Sequence, residues 1–179
     1  MNPLQLYCVS HKPVTLPKVP GLSVLQVGNA PERFGRYRDS DGTNIADKND
    51  RYSELTAHYY VWKNLPSDYV GFCHYRRYLL PPQSSNWLKQ ENKGSHGSGF
   101  RVPEAVVMAH LGGQIGNQHY IANLQGSLEH ADIILPRSTP LRSGENFITQ
   151  YLKTHDAAPL FRVLAILGEQ DNRLGKLAY

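Results

Sequence analysis

Residues 49–78, NDRYSELTAHYYVWKNLPSDYVGFCHYRRY, decide the fold, because they join a helix to a strand with few residues between them. Asn49 or Asp50 can cap a helix that we predict to run to Lys63, a basic residue suited to the negative end of the helix dipole. The Asn-Leu-Pro sequence that follows ends the helix, and residues 68–73 form a short apolar strand. A helix that leads directly into such a strand is typical of an α/β fold.

The predicted helix has one apolar stripe, formed by Tyr52, Leu55, Tyr59 and Trp62 at the spacing i, i+3, i+7 and i+10. This spacing is typical of a helix face that packs against a sheet. We therefore expect these side chains to be buried. Truncation of Trp62 to alanine should then lower the free energy of unfolding by about 3–5 kcal/mol.

Short apolar runs and helical periodicity predict further elements on both sides of this stretch. Strands are predicted at residues 4–9, 22–27 and 132–135, and helices at 116–130, 145–154 and 158–168. The order β-β-α-β-α-β-α-α predicts a single α/β domain over residues 1–179, with a mostly parallel sheet flanked by helices. Residues 30–48 and 81–100 are predicted loops, the first of them a functional or surface loop.

The composition limits the classes of protein to which the chain can belong. Its 179 residues are 40% hydrophobic and carry a net charge of +4, and the basic residues are scattered without a run of five or more. The charge and the 11 tyrosines suggest nucleic-acid binding only as a third interpretation. Because two of these tyrosines belong to the predicted helix stripe, we expect no nucleic-acid partner.

The sequence contains no apolar stretch that approaches the ~20 residues of a membrane-spanning helix. The N-terminal residues are too few and too polar for a signal peptide, so we expect a cytoplasmic protein without a transmembrane segment. Cys8 and Cys73 each lie in a short apolar run, which favours reduced core cysteines, although the sequence leaves a disulfide open.

Polar and basic side chains follow two of the predicted strands. Residues 10–12, Ser-His-Lys, follow the first strand, and residues 74–78, His-Tyr-Arg-Arg-Tyr, follow the third. Ligands of open parallel sheets bind beyond the carboxyl ends of the strands, and guanidinium groups bind phosphate oxygens in pairs. The two segments therefore indicate a diphosphate site. The alternative is that Arg76 and Arg77 form ordinary surface ion pairs, since adjacent residues share a pocket only where the strand has already turned.

Two acidic features allow more than one interpretation. Asp39 and Asp41 have the acidic-x-acidic spacing of a metal-binding pair, but no apolar strand precedes them and Asp-Gly is also a turn signal. Glu54 lies near the start of the predicted helix, where the dipole favours a carboxylate, and this is consistent with a purely structural charge. The functional alternative is that Glu54 faces the carboxyl edge of the sheet and holds His74 or one of the arginines.

Four segments of the sequence together resemble the fingerprint of a known bacterial family. They are residues 41–49 (DGTNIADKN), 52–57 (YSELTA), 60–64 (YVWKN) and 68–78 (DYVGFCHYRRY). Further matches are residues 10–13, 26–28, 132–136 and 150–151 with His155, so that the resemblance extends from Leu4 to about His155. The family was long classed as a domain of unknown function, occurs in capsule and O-antigen gene clusters, and is associated with galactofuranosyl transfer.

The resemblance implies an enzyme, a galactofuranosyltransferase with a nucleotide-sugar-binding α/β fold of the GT-A type. Its donor would be UDP-galactofuranose, and its acceptor a lipid-linked glycan of a cell-surface polysaccharide, reached from the inner face of the membrane. In GT-A folds an acidic pair with a metal commonly follows a central strand, whereas the comparable strand here leads into His-Tyr-Arg-Arg. We therefore expect no metal cofactor, because cationic side chains would neutralise the leaving diphosphate. The expected substrate-binding residues are Ser10, His11, Lys12, Asn44, Lys48, Asn49, Glu54, His74, Arg76 and Arg77.

Members of this family usually continue beyond the position of Tyr179, with further helices associated with the acceptor. The resemblance therefore implies that the acceptor-side portion is missing, and it assigns no catalytic base. The alternative function is a non-catalytic, truncated nucleotide-sugar-binding module that acts as a partner of another glycosyltransferase.

Overall fold

The computed structural model describes residues 4–79, 104–136, 144–153 and 155–170. These residues contain a four-stranded parallel sheet of order β3-β2-β1-β4. Its strands are β1 (Gln5–Ser10), β2 (Leu22–Gln26), β3 (Tyr37–Arg38) and β4 (Val70–His74). The helices are α1 (Asn49–Tyr52), α2 (Leu55–Asn64), α3 (Glu104–Gly112), α4 (Gln114–Leu128), α5 (Phe147–Tyr151) and α6 (Ala157–Gln170), with a 3-10 turn at Ala46–Lys48. The prediction of an α/β fold with a parallel sheet flanked by helices is confirmed.

Both faces of the sheet carry a hydrophobic core. Tyr7 and Val9 of β1 belong to a cluster with buried residues of α2, and Leu6 belongs to a second cluster with Leu111 of α3 and Leu124 of α4. Successive side chains of a strand point to opposite faces, so β1 is buried on both sides. This central position explains why the sequence of β1 is almost continuously apolar.

The register places the carboxyl ends of all four strands at one edge of the sheet. Ser10 pairs with Gln26, Gln26 pairs with Arg38, and Val9 pairs with His74. The segments that follow β1 and β4 therefore leave neighbouring strands at the same edge. Residues 10–12 and 74–78, the two segments predicted to form the diphosphate site, come together here, with the rings of His11 and Tyr75 in contact.

The helix predicted from residue 49 to Lys63 is interrupted, and its predicted apolar stripe was wrong. Ser53 has a φ of 45°, which is rare for a residue with a side chain, and it separates α1 from α2. The break changes the rotation of α2, whose buried residues are Thr56, Ala57, Tyr60 and Val61. The predicted stripe instead faces outward. Tyr59 is half-buried, Tyr52 and Leu55 are exposed, and Trp62 is 72% exposed.

The structure also corrects the smaller elements. Residues 132–135 are not a strand, because Ile133 and Leu135 are largely exposed rather than packed in the sheet. The predicted loop 30–48 contains β3 and the 3-10 turn, and α3 was not predicted. Residues 81–100 lie outside the described residues. The predicted helices at 116–130 and 158–168 correspond to α4 and α6, and the one predicted at 145–154 corresponds to the shorter α5. Cys8 and Cys73 are free thiols at paired positions of β1 and β4.

The described residues form two compact units. One contains the sheet with α1 to α4, and the other contains α5 and α6. In the second unit the Asn146 side chain accepts a hydrogen bond from the Thr149 amide and so caps α5. The assignment of residues 1–179 to one domain stays a prediction. Among the described helices, none has the length and apolar character required to span a membrane.

Candidate functional site at the carboxyl edge

The turn after β1 is held by Ser10. The buried Ser10 hydroxyl donates to the Lys12 backbone oxygen at 2.7 Å and accepts from the Lys12 amide at 3.3 Å. This local turn leaves the side chains of His11 and Lys12 exposed beyond the strand. Ser10 therefore supports the turn that carries the other two residues predicted to bind substrate here, and its own contact with a ligand stays a prediction.

The turn after β4 brings two arginines to one place. The Arg77 amide donates to the His74 backbone oxygen at 2.8 Å, which closes a tight turn over residues 74–77. The strand has therefore already turned, and this was the condition for adjacent arginines to share a site. Both side chains are exposed, and both positive charges act on the His74 imidazole.

Tyr75 connects the two turns. Its ring centroid lies 5.8 Å from the His11 ring and 4.1 Å from the His74 ring. The Lys12 ammonium lies 5.0 Å from the centroid, and the Arg76 guanidinium carbon lies 5.1 Å from it. Cations within about 6 Å of a ring centroid are attracted by the ring. Tyr75 was absent from the predicted site, although its position between His74 and Arg76 in the motif was a usable signal.

The His74 imidazole is held neutral by its surroundings. Burial is the main cause of its lowered pKa, and the charges of Arg76, Arg77 and His11 lower it further, against the carboxylate of Glu54. The Arg76 amide donates to Nδ1 at 3.2 Å, so the neutral ring carries its proton on Nε2. His74 can therefore donate one hydrogen bond from Nε2 to an acceptor at the edge of the sheet.

Glu54 acts on His74 at this edge and on His58 of α2. It lies just before α2. Burial is the main cause that lowers the pKa of both histidines, and the charge of Glu54 acts in the opposite direction by raising it. The His58 ring stacks on Phe72 of β4 with a centroid distance of 3.8 Å. This location agrees with the functional interpretation of Glu54, but whether the carboxylate supports substrate binding stays a prediction.

A second polar group lies after β3, at the opposite end of the edge. Asp39 is completely buried, and its Oδ2 accepts a 2.6 Å hydrogen bond from the Thr56 hydroxyl, which itself accepts from Asn49 at 2.8 Å. Burial raises the pKa of Asp39, and the Thr56 hydrogen bond, the charge of Arg38 and the backbone N–H of Gly28 oppose that rise. The other oxygen, Oδ1, is closed to solvent and accepts no hydrogen bond of good geometry from the described residues.

The acidic pair of Asp39 and Asp41 is divided between two roles. The strand that precedes it, β3, is only two residues long and half-buried, and of the two acidic residues only Asp39 is buried. Asp41 forms an ion pair with Arg33 at 2.8 Å. Within the described ranges, no group of three or more His, Cys, Asp or Glu side chains is arranged to hold a metal. The expectation of a metal-independent site stays a prediction.

The remaining predicted residues organise the segment between β3 and α2. The Asn44 amide donates to the backbone oxygens of Ser40 at 3.0 Å and Gly42 at 2.8 Å. Asn49 also donates to the Ser53 backbone oxygen at 2.9 Å, and Lys48 is exposed. In the part of the chain that the structure describes, no hydrogen bond or ion pair joins Asn44 or Lys48 to the residues around Tyr75.

Comparison with known proteins identifies the family to which the chain belongs. The family model DUF4422, a domain of unknown function, matches residues 5–176. The chain belongs to the DUF4422 family. This DUF4422 chain is also similar to a solved apo structure of WbbM, described as a bifunctional glycosyltransferase, with a TM-score of 0.66 and 28% sequence identity. The match covers 94% of this chain and 29% of the WbbM chain. A comparison with curated proteins gives no significant match.

Among the described residues, the cations at the edge where parallel sheets bind ligands form no ion pair with a carboxylate, and Glu54 is an acidic residue whose charge reaches this edge. The described ion pairs join Arg33 to Asp41, Arg51 to Asp50, and Lys153 to Glu145, and none includes a cation of the Tyr75 region. Lys12 and Arg76 lie against the ring of Tyr75, and Arg77 belongs to the same turn as Arg76. Such a group can bind an anion with more than one charge, of which a diphosphate is one example.

Proposed function

We propose that the chain is the nucleotide-sugar-binding part of a glycosyltransferase that moves galactofuranose from UDP-galactofuranose to a lipid-linked cell-surface polysaccharide acceptor. The observation that carries the proposal is the convergence of Lys12, Arg76 and Arg77 around Tyr75 and His74, with no ion pair to a carboxylate among the described residues. The similarity to WbbM supports sugar transfer as the reaction class.

The cationic group suits the departure of a nucleoside diphosphate. When the bond between the sugar and the diphosphate breaks, negative charge develops on the leaving phosphate oxygens. Fixed positive charges at that position lower the energy of the transition state. Lys12, Arg76 and Arg77 supply these charges, and the neutral His74 donates one further hydrogen bond from Nε2. In this proposal the side chains do the work that a divalent metal does elsewhere.

The residues after β3 offer a place for the nucleoside end of the same donor, at the other end of the carboxyl edge. Asp39 is closed to solvent there, so in this proposal it supports the segment after β3 through its hydrogen bond with Thr56 and does not meet the ligand itself. The strands β3 and β4 are three positions apart in the sheet, which corresponds to about 14 Å at ~4.8 Å between neighbours. We propose that the nucleoside lies toward β3 and the diphosphate toward β4.

A second candidate function follows from the share of WbbM that the chain covers. Because the match includes only 29% of that chain, a module that binds the donor without catalysing transfer is the alternative. Such a module would act as a partner of another glycosyltransferase. We further propose that the protein works in the cytoplasm, as a peripheral protein at the inner face of the membrane.

Titration with nucleotide sugars tests the proposal. Calorimetry would compare UDP, UDP-galactopyranose and UDP-galactofuranose in chelator, and we expect all three to bind, with the galactofuranose donor tightest. A ligand at 100 times its dissociation constant stabilises the fold by ~2.7 kcal/mol, so thermal shifts provide a second readout. No binding of any of the three would refute the donor site. Binding of UDP-galactofuranose without transfer to a lipid-linked acceptor would favour the non-catalytic alternative.

A further inference from the structure

We propose that Tyr75 is a positioning residue that selects a diphosphate over a monophosphate, an inference that rests on the proposed function. Its ring holds Lys12 from the β1 turn and Arg76 from the β4 turn at nearly equal distances, 5.0 and 5.1 Å from the centroid. The two cations belong to different strands, and the ring is the group that both contact.

The ring is suited to this role because it attracts cations without neutralising them. Two positive charges that each lie about 5 Å from the centroid of one ring repel each other, and a carboxylate beside them would relieve that repulsion. A carboxylate between Lys12 and Arg76 would compete with the phosphates of the ligand. The negative face of an aromatic ring attracts both side chains and leaves their N–H groups available for an anion.

Two further contacts fix the ring itself. The His11 ring meets Tyr75 edge-on, with an angle of 78° between the planes, and the His74 ring lies against it at 4.1 Å. His74 is in turn fixed by the Arg76 amide at Nδ1 and by the Arg77 amide at its backbone oxygen. Tyr75 therefore has a defined position between the ends of β1 and β4, and it transmits that position to the two cations.

Selectivity for two phosphate groups follows from holding both cations at once. A monophosphate can use one of them and gains little from the second, whereas a diphosphate can use both. Loss of the ring would free Lys12 and Arg76 to move apart. The affinity for a diphosphate should then fall, while the affinity for a monophosphate should change little.

Titrations of UDP and UMP in chelator test this inference with Tyr75→Leu and Tyr75→Phe. Wild type should bind UDP more tightly than UMP, Tyr75→Leu should lose roughly tenfold in UDP affinity with UMP affinity unchanged, and Tyr75→Phe should behave as wild type. An unchanged ratio of UDP to UMP affinity in Tyr75→Leu would overturn the inference. Should that variant fail to fold, Tyr75→Met keeps the apolar bulk without a ring and has the same expected result.

Inorganic pyrophosphate and phosphate separate this inference from the proposed function. Wild-type protein that binds pyrophosphate but not UDP would refute the nucleotide site, and the same variants would then be compared with pyrophosphate and phosphate. A Tyr75→Leu variant with an unreduced preference for pyrophosphate would overturn the positioning role. Wild type that binds neither UDP nor pyrophosphate would overturn both proposals.

Discussion

Thr56 donates a 2.6 Å hydrogen bond to Asp39, and both side chains are completely buried. This bond connects α2 to the carboxyl end of β3 and fixes the rotation of the helix on the sheet. It also satisfies one oxygen of a carboxylate whose burial raises its pKa. A buried polar group left without a partner is costly, so the bond matters to the fold as well as to the site.

Replacement of Thr56 by valine should destabilise the protein. The substitution keeps the shape of the side chain but leaves Asp39 without its hydroxyl donor, at a cost of about 1–3 kcal/mol in unfolding free energy. Urea denaturation at neutral pH measures this loss of unfolding free energy. Thr56→Ser keeps the hydroxyl and serves as the matched control. A midpoint of the valine variant equal to that of wild type would show that the bond contributes nothing to stability.

The pH dependence of stability should reveal the raised pKa of Asp39. Because burial raises the pKa of the folded protein above the ordinary value of 3.8, the folded state binds more protons than the unfolded state between the two values. The free energy of unfolding, relative to Asp39→Asn, should therefore fall as pH rises from 3.8 through the raised pKa. Above that range the difference should be constant. A difference that rises with pH would show that the pKa is lowered instead.

Because Trp62 is exposed in the structure, we expect the opposite stability effect from the one that the sequence predicted for its truncation. Trp62→Ala should change the free energy of unfolding by no more than about 0.5 kcal/mol, because the side chain is 72% exposed. Tyr60→Ala, two positions earlier and buried, should cost about 3–5 kcal/mol. Chemical denaturation of both variants decides between the two helix rotations. A larger loss of unfolding free energy for Trp62→Ala than for Tyr60→Ala would show that the predicted stripe is the buried face.

The sequence predicted the parallel sheet and the two strand-end segments because short apolar runs followed by polar residues are local signals. It could not predict the break at Ser53, since a left-handed serine depends on the packing around it. The two-residue strand β3 is too short for any periodicity, and for that reason the burial of Asp39 was missed. Contacts such as that of Lys12 with Tyr75 join residues far apart in the chain, so only the register reveals them.

Glu54→Gln should separate a supporting role from a structural charge. If the carboxylate acts on His74 and the arginines, the substitution should weaken UDP binding roughly tenfold, or about 1.4 kcal/mol, and leave stability nearly unchanged. It should also lower the pKa of His74 further, which an NMR titration of the imidazole can follow. Asp50→Asn, at an exposed position of α1, is the control. Unchanged nucleotide affinity would leave Glu54 as a charge at the start of α2.

The central claim is that cationic side chains bind the donor diphosphate without a metal. Calorimetric titration of UDP in chelator, on wild type and on Arg76→Ala, tests it most directly, with the exposed Arg51→Ala as a control of equal charge change. We predict that wild type and Arg51→Ala bind UDP alike without a metal. Arg76→Ala should lose about tenfold or more in affinity, since a charge-assisted hydrogen bond contributes ~1.5–3 kcal/mol. Binding that occurs only after addition of magnesium or manganese, and that Arg76→Ala does not weaken, would contradict the claim and return Asp39 and Asp41 as metal ligands.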